Sequence, residues 1–277
     1  MSVKEYFLPQ SLAEATSLLA EHGPSLLVMA GGTIAMSLIN DGISRPEKVM
    51  GLRQAGLNYI RRDNGTVMIG ATTTLSQILE LEAVPLLQSA AEHAGSWSVR
   101  NMATVGGNIC AQPPAGDVAV ALLALDAQVK LAGQGSERVI PLADFYASAS
   151  PIQAGELLAE IQTPVAAGKT VYIKYGRKHT VTPAIVTVAA HVVLDGNKVK
   201  DARLALNGVG PHPLRAKNAE AALVGSTLTA ESIAAAAQAA SEECAPVTDA
   251  IASEWYRRRM AGVYVKRALA QIAGLEV

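Results

Sequence analysis

Cysteine is nearly absent. The 277 residues contain only Cys110 and Cys244, far apart, with no C-x-x-C. Neither an iron–sulfur cluster nor a zinc knuckle can therefore be built from this chain alone. Disulfide pairing is not expected in a reducing compartment, and Cys110 reads as a small packing residue. Aromatic residues are also scarce, at 4% against 50% hydrophobic residues overall. The core must be packed from alanine, valine and leucine. Neither sign of charge dominates: 23 basic and 24 acidic residues leave a net charge of −1. That argues against a polyanion-binding surface, so no nucleic-acid partner is expected. No apolar run approaches the roughly 18 residues that span a bilayer. Residues Met1 to Tyr6 lack the apolar stretch of a signal peptide. The expectation is a soluble cytoplasmic protein without membrane attachment. There is no G-x-x-x-x-G-K-[ST], no complete G-x-G-x-x-G, no H-E-x-x-H and no G-x-S-x-G, which removes the P-loop, zincin and α/β-hydrolase readings. The histidines at 22, 93, 179, 191 and 212 are scattered, so no metal site is expected. His191, alone in an apolar strand, reads as a satisfied core or interface residue.

Two glycine pairs stand out. The first lies in Met29-Ala30-Gly31-Gly32-Thr33-Ile34-Ala35. The second lies in Thr104-Val105-Gly106-Gly107-Asn108-Ile109, followed by Cys110, Pro113, Pro114 and Asp117. Glycine brings backbone N–H groups close to a ligand because no Cβ intervenes. Runs of such groups form anion-binding concavities. Two of them suit a ligand with two linked phosphates. Asp117 is a candidate acceptor for a ribose or ribityl hydroxyl, and equally a cap for the apolar segment behind it.

Ser11 is a candidate N-cap for a helix with Leu12, Ala15, Leu18 and Leu19 on one stripe. Leu26 to Ala30 reads as a buried strand leading into the first glycine pair, with Ile34 to Ile39 beginning a helix or packed turn. That order is the usual geometry of a phosphate site. Val49–Leu52 and Tyr59–Ile60 read as short strands, and Asn64-Gly65 is a hairpin signal. Short helices are expected at 75–81 and 86–94. A hairpin is expected between 128–131 and 139–140, turning across Gly133 to Ser136, and a strand through Leu157, Leu158 and Ile161. A linker is expected over 164–168. Beyond it come strands at 171–174, 184–193 and 199–206, then helices at 216–224, 230–241 and 253–273.

The residue string Arg100-Asn101-Met102-Ala103-Thr104-Val105-Gly106-Gly107-Asn108-Ile109, with Pro114 and Asp117 and the earlier Ala30 to Thr33, resembles the FAD-binding (medium) subunits of molybdenum hydroxylases, the xanthine dehydrogenase and carbon monoxide dehydrogenase family. The likeness continues through Gly208 to Ala216 and Ser253 to Arg259 and covers nearly the whole chain. It implies an α+β fold: a two-part FAD-binding domain of the vanillyl-alcohol-oxidase type over 1–166 and a small α+β C-terminal domain over 170–277. It implies noncovalent FAD, with the pyrophosphate between the segments at 30–34 and 104–108. It assigns Leu158 to packing near the cofactor and Lys174 to an approach toward the flavin, although Leu158 as ordinary core and Lys174 as an edge-strand lysine remain open. In Lys174 to Ala184 the family's Arg-Arg doublet is Arg177-Lys178, and its acidic position is Thr182. The Arg257-Arg258-Arg259 run cannot share one contact, and one member should meet a carboxylate or a partner subunit.

By the same resemblance the chain is the electron-transfer subunit of an oxidoreductase. A small subunit with two [2Fe–2S] clusters would deliver electrons to it, and a large molybdopterin subunit would hydroxylate the substrate. The complex would be a dimer of heterotrimers, with no catalytic acid or base supplied by this chain. Two other readings remain open: a self-sufficient FAD-dependent reductase of the same fold, and a flavin-free assembly subunit.

Overall fold

The computed structural model describes residues 3–111, 116–165, 167–178 and 181–276. Pro113 and Pro114, which follow the second glycine pair, lie outside the described residues, as do His179 and part of the expected linker. Two compact units are present, and they are not contiguous in sequence. One comprises residues 1–78, 96–111 and 127–164; the other comprises 79–95, 112–126 and 165–277.

The first unit contains a small parallel sheet and a larger antiparallel one. Strands β1 (Glu5–Phe7), β2 (Leu26–Met29) and β3 (Lys48–Gly51) pair in the order β1-β3-β2. Strands β4 (Ile60–Asp63), β5 (Thr66–Gly70), β6 (Gln128–Gly133), β7 (Ser136–Pro141) and β8 (Leu157–Pro164) pair in the order β4-β5-β8-β6-β7. The β4–β5 hairpin turns where expected, because Asn64 and Gly65 both adopt positive φ, 46° and 79°, as a two-residue hairpin turn demands. The helix Leu12–His22 starts at Ser11, whose hydroxyl accepts from Glu14 N. Its Ala15 and Leu19 are buried with Leu26, Met50, Leu52 and Leu157. This core holds β2 and β3 in place, and the first glycine segment begins where β2 ends.

The second unit is built on an antiparallel sheet of order β12-β11-β10-β9, formed by β9 (Lys169–Gly176), β10 (Ala184–Asp195), β11 (Lys198–Asn207) and β12 (Leu214–Arg215). β12 adds a strand to the three expected. Every residue of β10 from Ala184 to Val192 is buried. Such a strand needs cover on both faces, and two helices that contact it supply cover: Glu254–Ala273 and Asp117–Ala124. The latter is apolar all round, with Val118 to Ala124 wholly buried, as a fully enclosed helix requires. Packing on β10 is why residues 117–124 belong to this unit although they lie early in the chain.

Short elements were harder to read from sequence. The helices Trp97–Met102 and Leu142–Ala147 and the strand β1 were not anticipated. The second glycine pair, expected in a loop, sits in the first turn of a short helix, Val105–Cys110. Thr104 makes this possible by capping it: its hydroxyl accepts from Gly107 N at 3.1 Å.

Candidate functional site

The first glycine segment leaves β2 and enters the short helix Ala35–Asn40. Gly31 lies against the chain at 102–103, where a Cβ would overlap the Met102 carbonyl oxygen. Only glycine permits that approach. Gly32 turns the backbone with φ 74°. The N–H groups of Gly31, Gly32, Thr33 and Ile34 donate to no backbone carbonyl among the described residues. Thr33 and Ile34 are exposed, while Met29 and Ala35 at the ends of the segment are half-buried.

The second segment is arranged differently. Val105 N donates to Thr73 O at 3.0 Å, Gly106 N to Ala71 O at 2.9 Å and Asn108 N to Thr104 O at 2.9 Å. A Cβ on Gly106 would come within 2.8 Å of Ala71. Gly107 is exposed, and a Cβ there would meet only the Thr104 hydroxyl, at 2.9 Å. Ile109 is buried, and its carbonyl accepts from the Tyr146 hydroxyl at 3.1 Å. Cys110 is exposed as a residue, while burial around its thiol pushes that group's pKa up to about 11.

Both segments line one cleft of about 240 Å³, together with Arg53, Asn58, Thr72, Thr74 and Asn101. Ala30 and Gly31 come from the first segment, Met102 and Thr104 from the approach to and start of the second. Thr72 Oγ1 is buried without a hydrogen-bond partner among the described residues. Arg53 is exposed and without a polar partner among the described residues. An unsatisfied hydroxyl, a guanidinium and the unengaged Gly31 N–H in one cleft, with those of Gly32 to Ile34 in the adjoining turn, form a donor set that fits a phosphorylated ligand. Sequence reading missed Arg53 and Thr72. Their only signal is position, since both follow strands that reach the glycine segments in three dimensions.

Leu158 lies in the first unit, is buried in β8 and is paired with Leu131. Asp117 and Lys174 lie in the second unit and are bound to each other: Lys174 Nζ donates to Asp117 Oδ2 at 2.7 Å and to the His93 carbonyl at 3.1 Å. Lys174 is on β9, an edge strand as expected, but its side chain is only 10% exposed. Asp117 is the first helical residue, behind an N-cap at Gly116, so it is not itself the cap. Burial raises the Asp117 carboxyl above its ordinary range, against the opposing pull of Lys174. The Tyr172 hydroxyl donates to the Asp117 carbonyl at 3.1 Å. Arg257 is the member of its run that meets a carboxylate. It is buried, donates from Nη2 to Asp249 at 2.8 and 3.0 Å, and reaches the Ile185 and Gly208 carbonyls. His191 is buried, and its Nε2 donates to the Ala167 carbonyl at 3.0 Å. Among the described residues no cluster of His, Cys, Asp and Glu could hold a metal ion.

Comparison with known proteins bears on this donor set. Residues 1–166 match the family model described as the FAD binding domain in molybdopterin dehydrogenase, and residues 171–272 match the CO dehydrogenase flavoprotein C-terminal domain. The chain is 32% identical to the glyceraldehyde dehydrogenase medium chain of Sulfolobus acidocaldarius, over 97% of this chain and 98% of that one. It is 34% identical to subunit alpha of the 6-hydroxypseudooxynicotine dehydrogenase complex of Paenarthrobacter nicotinovorans, over 96% and 93%. The solved carbon monoxide dehydrogenase of Hydrogenophaga pseudoflava superposes with a TM-score of 0.92 at 34% identity, covering 98% of this chain and 96% of that one. Fold and cleft thus define an α+β flavoprotein whose cofactor is FAD, an oxidoreductase subunit. The chain belongs to the family of FAD-binding medium subunits of molybdenum hydroxylases, which includes those of carbon monoxide dehydrogenase and xanthine dehydrogenase.

Proposed function

We propose that this chain is the electron-transfer subunit of a molybdenum hydroxylase complex, receiving electrons from two [2Fe–2S] clusters of a small partner subunit and delivering them to an external acceptor. Bound FAD would supply that redox chemistry. The large molybdopterin subunit would carry out hydroxylation, in a cytoplasmic dimer of heterotrimers. Residues 1–166 form the flavin-binding domain in this reading, and 170–277 the C-terminal domain. The single observation that carries it is the cleft lined by both glycine segments, with an unsatisfied Thr72 hydroxyl and an unpaired Arg53 beside them. N–H groups of Gly31 to Ile34 would donate to the pyrophosphate, while the Gly107 N–H stays with the Thr104 hydroxyl. Arg53 would neutralise part of its charge. Asp117 would accept from a sugar or ribityl hydroxyl, and Lys174 would hold that carboxylate in its orientation. Leu158 and Ile109 would keep the surrounding strand and helix packed. None of these residues needs to exchange a proton with the organic substrate.

The test is made in two stages. The purified chain should hold about one FAD and show no bleaching with any heterocycle, aldehyde or carbon monoxide. Adding the cluster-bearing and molybdopterin subunits should then couple substrate oxidation to flavin reduction. Bleaching by substrate in the chain alone would overturn the relay and favour a self-sufficient reductase. A chain that folds with intact glycine segments yet takes up no FAD would leave an assembly role.

A further inference from the structure

No Asp or Glu lines the cleft, and its polar side chains are Arg53, Asn58, Thr72, Thr74, Asn101 and Thr104. An asparagine amide carries both donor and acceptor, so what it offers depends on which way it faces. The segment Thr74-Leu75-Ser76-Gln77 decides that for Asn58. Thr74 and Gln77 pair reciprocally at the start of the short helix Leu75–Ile78. Gln77 N donates to Thr74 Oγ1 at 3.3 Å, and Thr74 N donates to Gln77 Oε1 at 2.9 Å. That is a capping box. A backbone N–H can only donate, so the Gln77 atom facing Thr74 is the amide oxygen. The other end, Nε2, can only donate, and it donates to Asn58 Oδ1 at 2.9 Å. The Asn58 acceptor is thereby engaged, and its Nδ2 has no polar partner among the described residues. Asn101 is arranged likewise. Ser76 Oγ donates to its Oδ1 at 2.6 Å, and its Nδ2 has no polar partner among the described residues. All of these residues belong to the first unit.

Helix capping explains the Thr74–Gln77 pair but not the bond to Asn58. Asn58 and Gln77 are both exposed, and exposed amides are satisfied by water at little net cost. The same short helix is fastened to the approach to the second glycine segment, since Leu75 N donates to the Ala103 carbonyl at 2.9 Å. Gln77 therefore holds Asn58 on the frame that carries Thr104. We propose that Gln77 is a positioning residue that sets the hydrogen-bonding sign of the cleft. It turns the Asn58 amide so that Nδ2 donates to an oxygen of bound FAD, beside Arg53 and Thr72. Phosphate oxygens only accept, so an amide facing the other way would repel them. The inference rests on this cleft being part of the flavin site.

Gln77→Glu tests the direction of the amide. The introduced carboxylate still accepts from Thr74 N, but its second oxygen can only accept as well. Asn58 must then turn Nδ2 toward it and present Oδ1 to the cleft. The whole chain, freed of flavin, is titrated with FAD as wild type, Asn58→Ala, Gln77→Glu and the double variant, and thermal melts are run on the same flavin-free proteins. Asn58→Ala should weaken FAD roughly five- to tenfold, the loss of one hydrogen bond. Gln77→Glu should weaken it more, by about tenfold or beyond, because an acceptor replaces a donor. The double variant should bind like Asn58→Ala alone, within about twofold, since the turned amide is gone. The melts should agree, because both residues are exposed and the bond to Thr74 N is kept. Wild-type FAD affinity in Asn58→Ala overturns the proposal. So does a Gln77→Glu penalty that persists in full without Asn58, which is charge repulsion alone. A lowered melt with unchanged FAD affinity in Gln77→Glu also overturns it and leaves Gln77 as a helix cap. A wild-type chain that takes up no FAD would instead overturn the flavin reading of the cleft, and this inference with it.

Discussion

The two glycine pairs look alike in sequence and share one feature in the fold. In each, the leading glycine is pressed against backbone, Gly31 against Met102 and Gly106 against Ala71. The following glycine is exposed in the second pair, at Gly107, and half-buried in the first, at Gly32. They differ in their donors. The N–H groups of Gly31 to Ile34 donate to no backbone carbonyl among the described residues, whereas those of Val105, Gly106 and Asn108 are tied to Thr73, Ala71 and Thr104. The second segment is thus a packed helix start that shapes the cleft, and the first is the part with donors to offer. A glycine motif in a ligand site therefore has two separate physical requirements: close approach of chain to chain, and exposure of N–H groups.

The largest expected effect separates these requirements. Gly31→Val should unfold or severely destabilise the protein, by more than about 3 kcal/mol, because its side chain must displace the backbone at 102–103. Gly107→Val should instead leave the fold standing, since only the Thr104 hydroxyl is near, while crowding Thr104, which lines the cleft. FAD affinity should fall roughly ten- to a hundredfold, the equivalent of one or two charge-assisted hydrogen bonds. Thermal melts of the flavin-free proteins, run beside flavin titrations, read the two effects apart. Equal losses of stability in both variants would break the distinction between packing and ligand-facing glycines.

Asp117→Ala is expected to weaken FAD by roughly ten- to a hundredfold as well, if the carboxylate accepts from a cofactor hydroxyl. Removing it also strands the Lys174 ammonium, so the apo-protein should melt lower. A lowered melt with unchanged flavin affinity would reduce Asp117 to the lysine's partner. Thr104→Ala should cost about 1 kcal/mol through loss of the helix cap, and Thr104→Ser should restore it. A gain in FAD affinity in the alanine variant would mean that the Gly107 N–H, once released from Thr104, turns to the ligand.

The smallest effect is electrostatic. Burial pushes the His191 imidazole below its ordinary value. The unfolded chain therefore binds a proton there at a higher pH than the native chain does. The stability this neutral group allows is intact above about pH 6.5 and is lost as pH falls from there toward the lowered native value. His191→Gln should flatten that limb of the stability–pH curve, and an unchanged limb would assign it to other groups.

Much of the fold was legible where periodicity and caps agree. Ser11 and Ser253 cap the helices expected behind them, and Asn64-Gly65 makes its hairpin. Some helices of six residues were not, because one turn of helix carries too little pattern to compete with loop. The helix Trp97–Met102 is one example. The helical state of Gly106 and Gly107 is another, since glycine is a poor helix former in isolation and only the Thr104 cap and the carbonyls of Ala71 and Thr73 hold that turn.

The sequence by itself determined the family, through a long run of glycine, asparagine and threonine with fixed spacing. It also determined that this chain by itself builds no iron–sulfur cluster, because two distant cysteines cannot hold one. Tertiary structure alone decided which glycines pack and which face outward, because that depends on Met102 and Ala71 arriving from remote parts of the chain. It alone brought Arg53 and Thr72 into the cleft. It also gave Asp117 its partner: Lys174 is 57 residues away, and burial of the helix against β10 is what brings the two charges together.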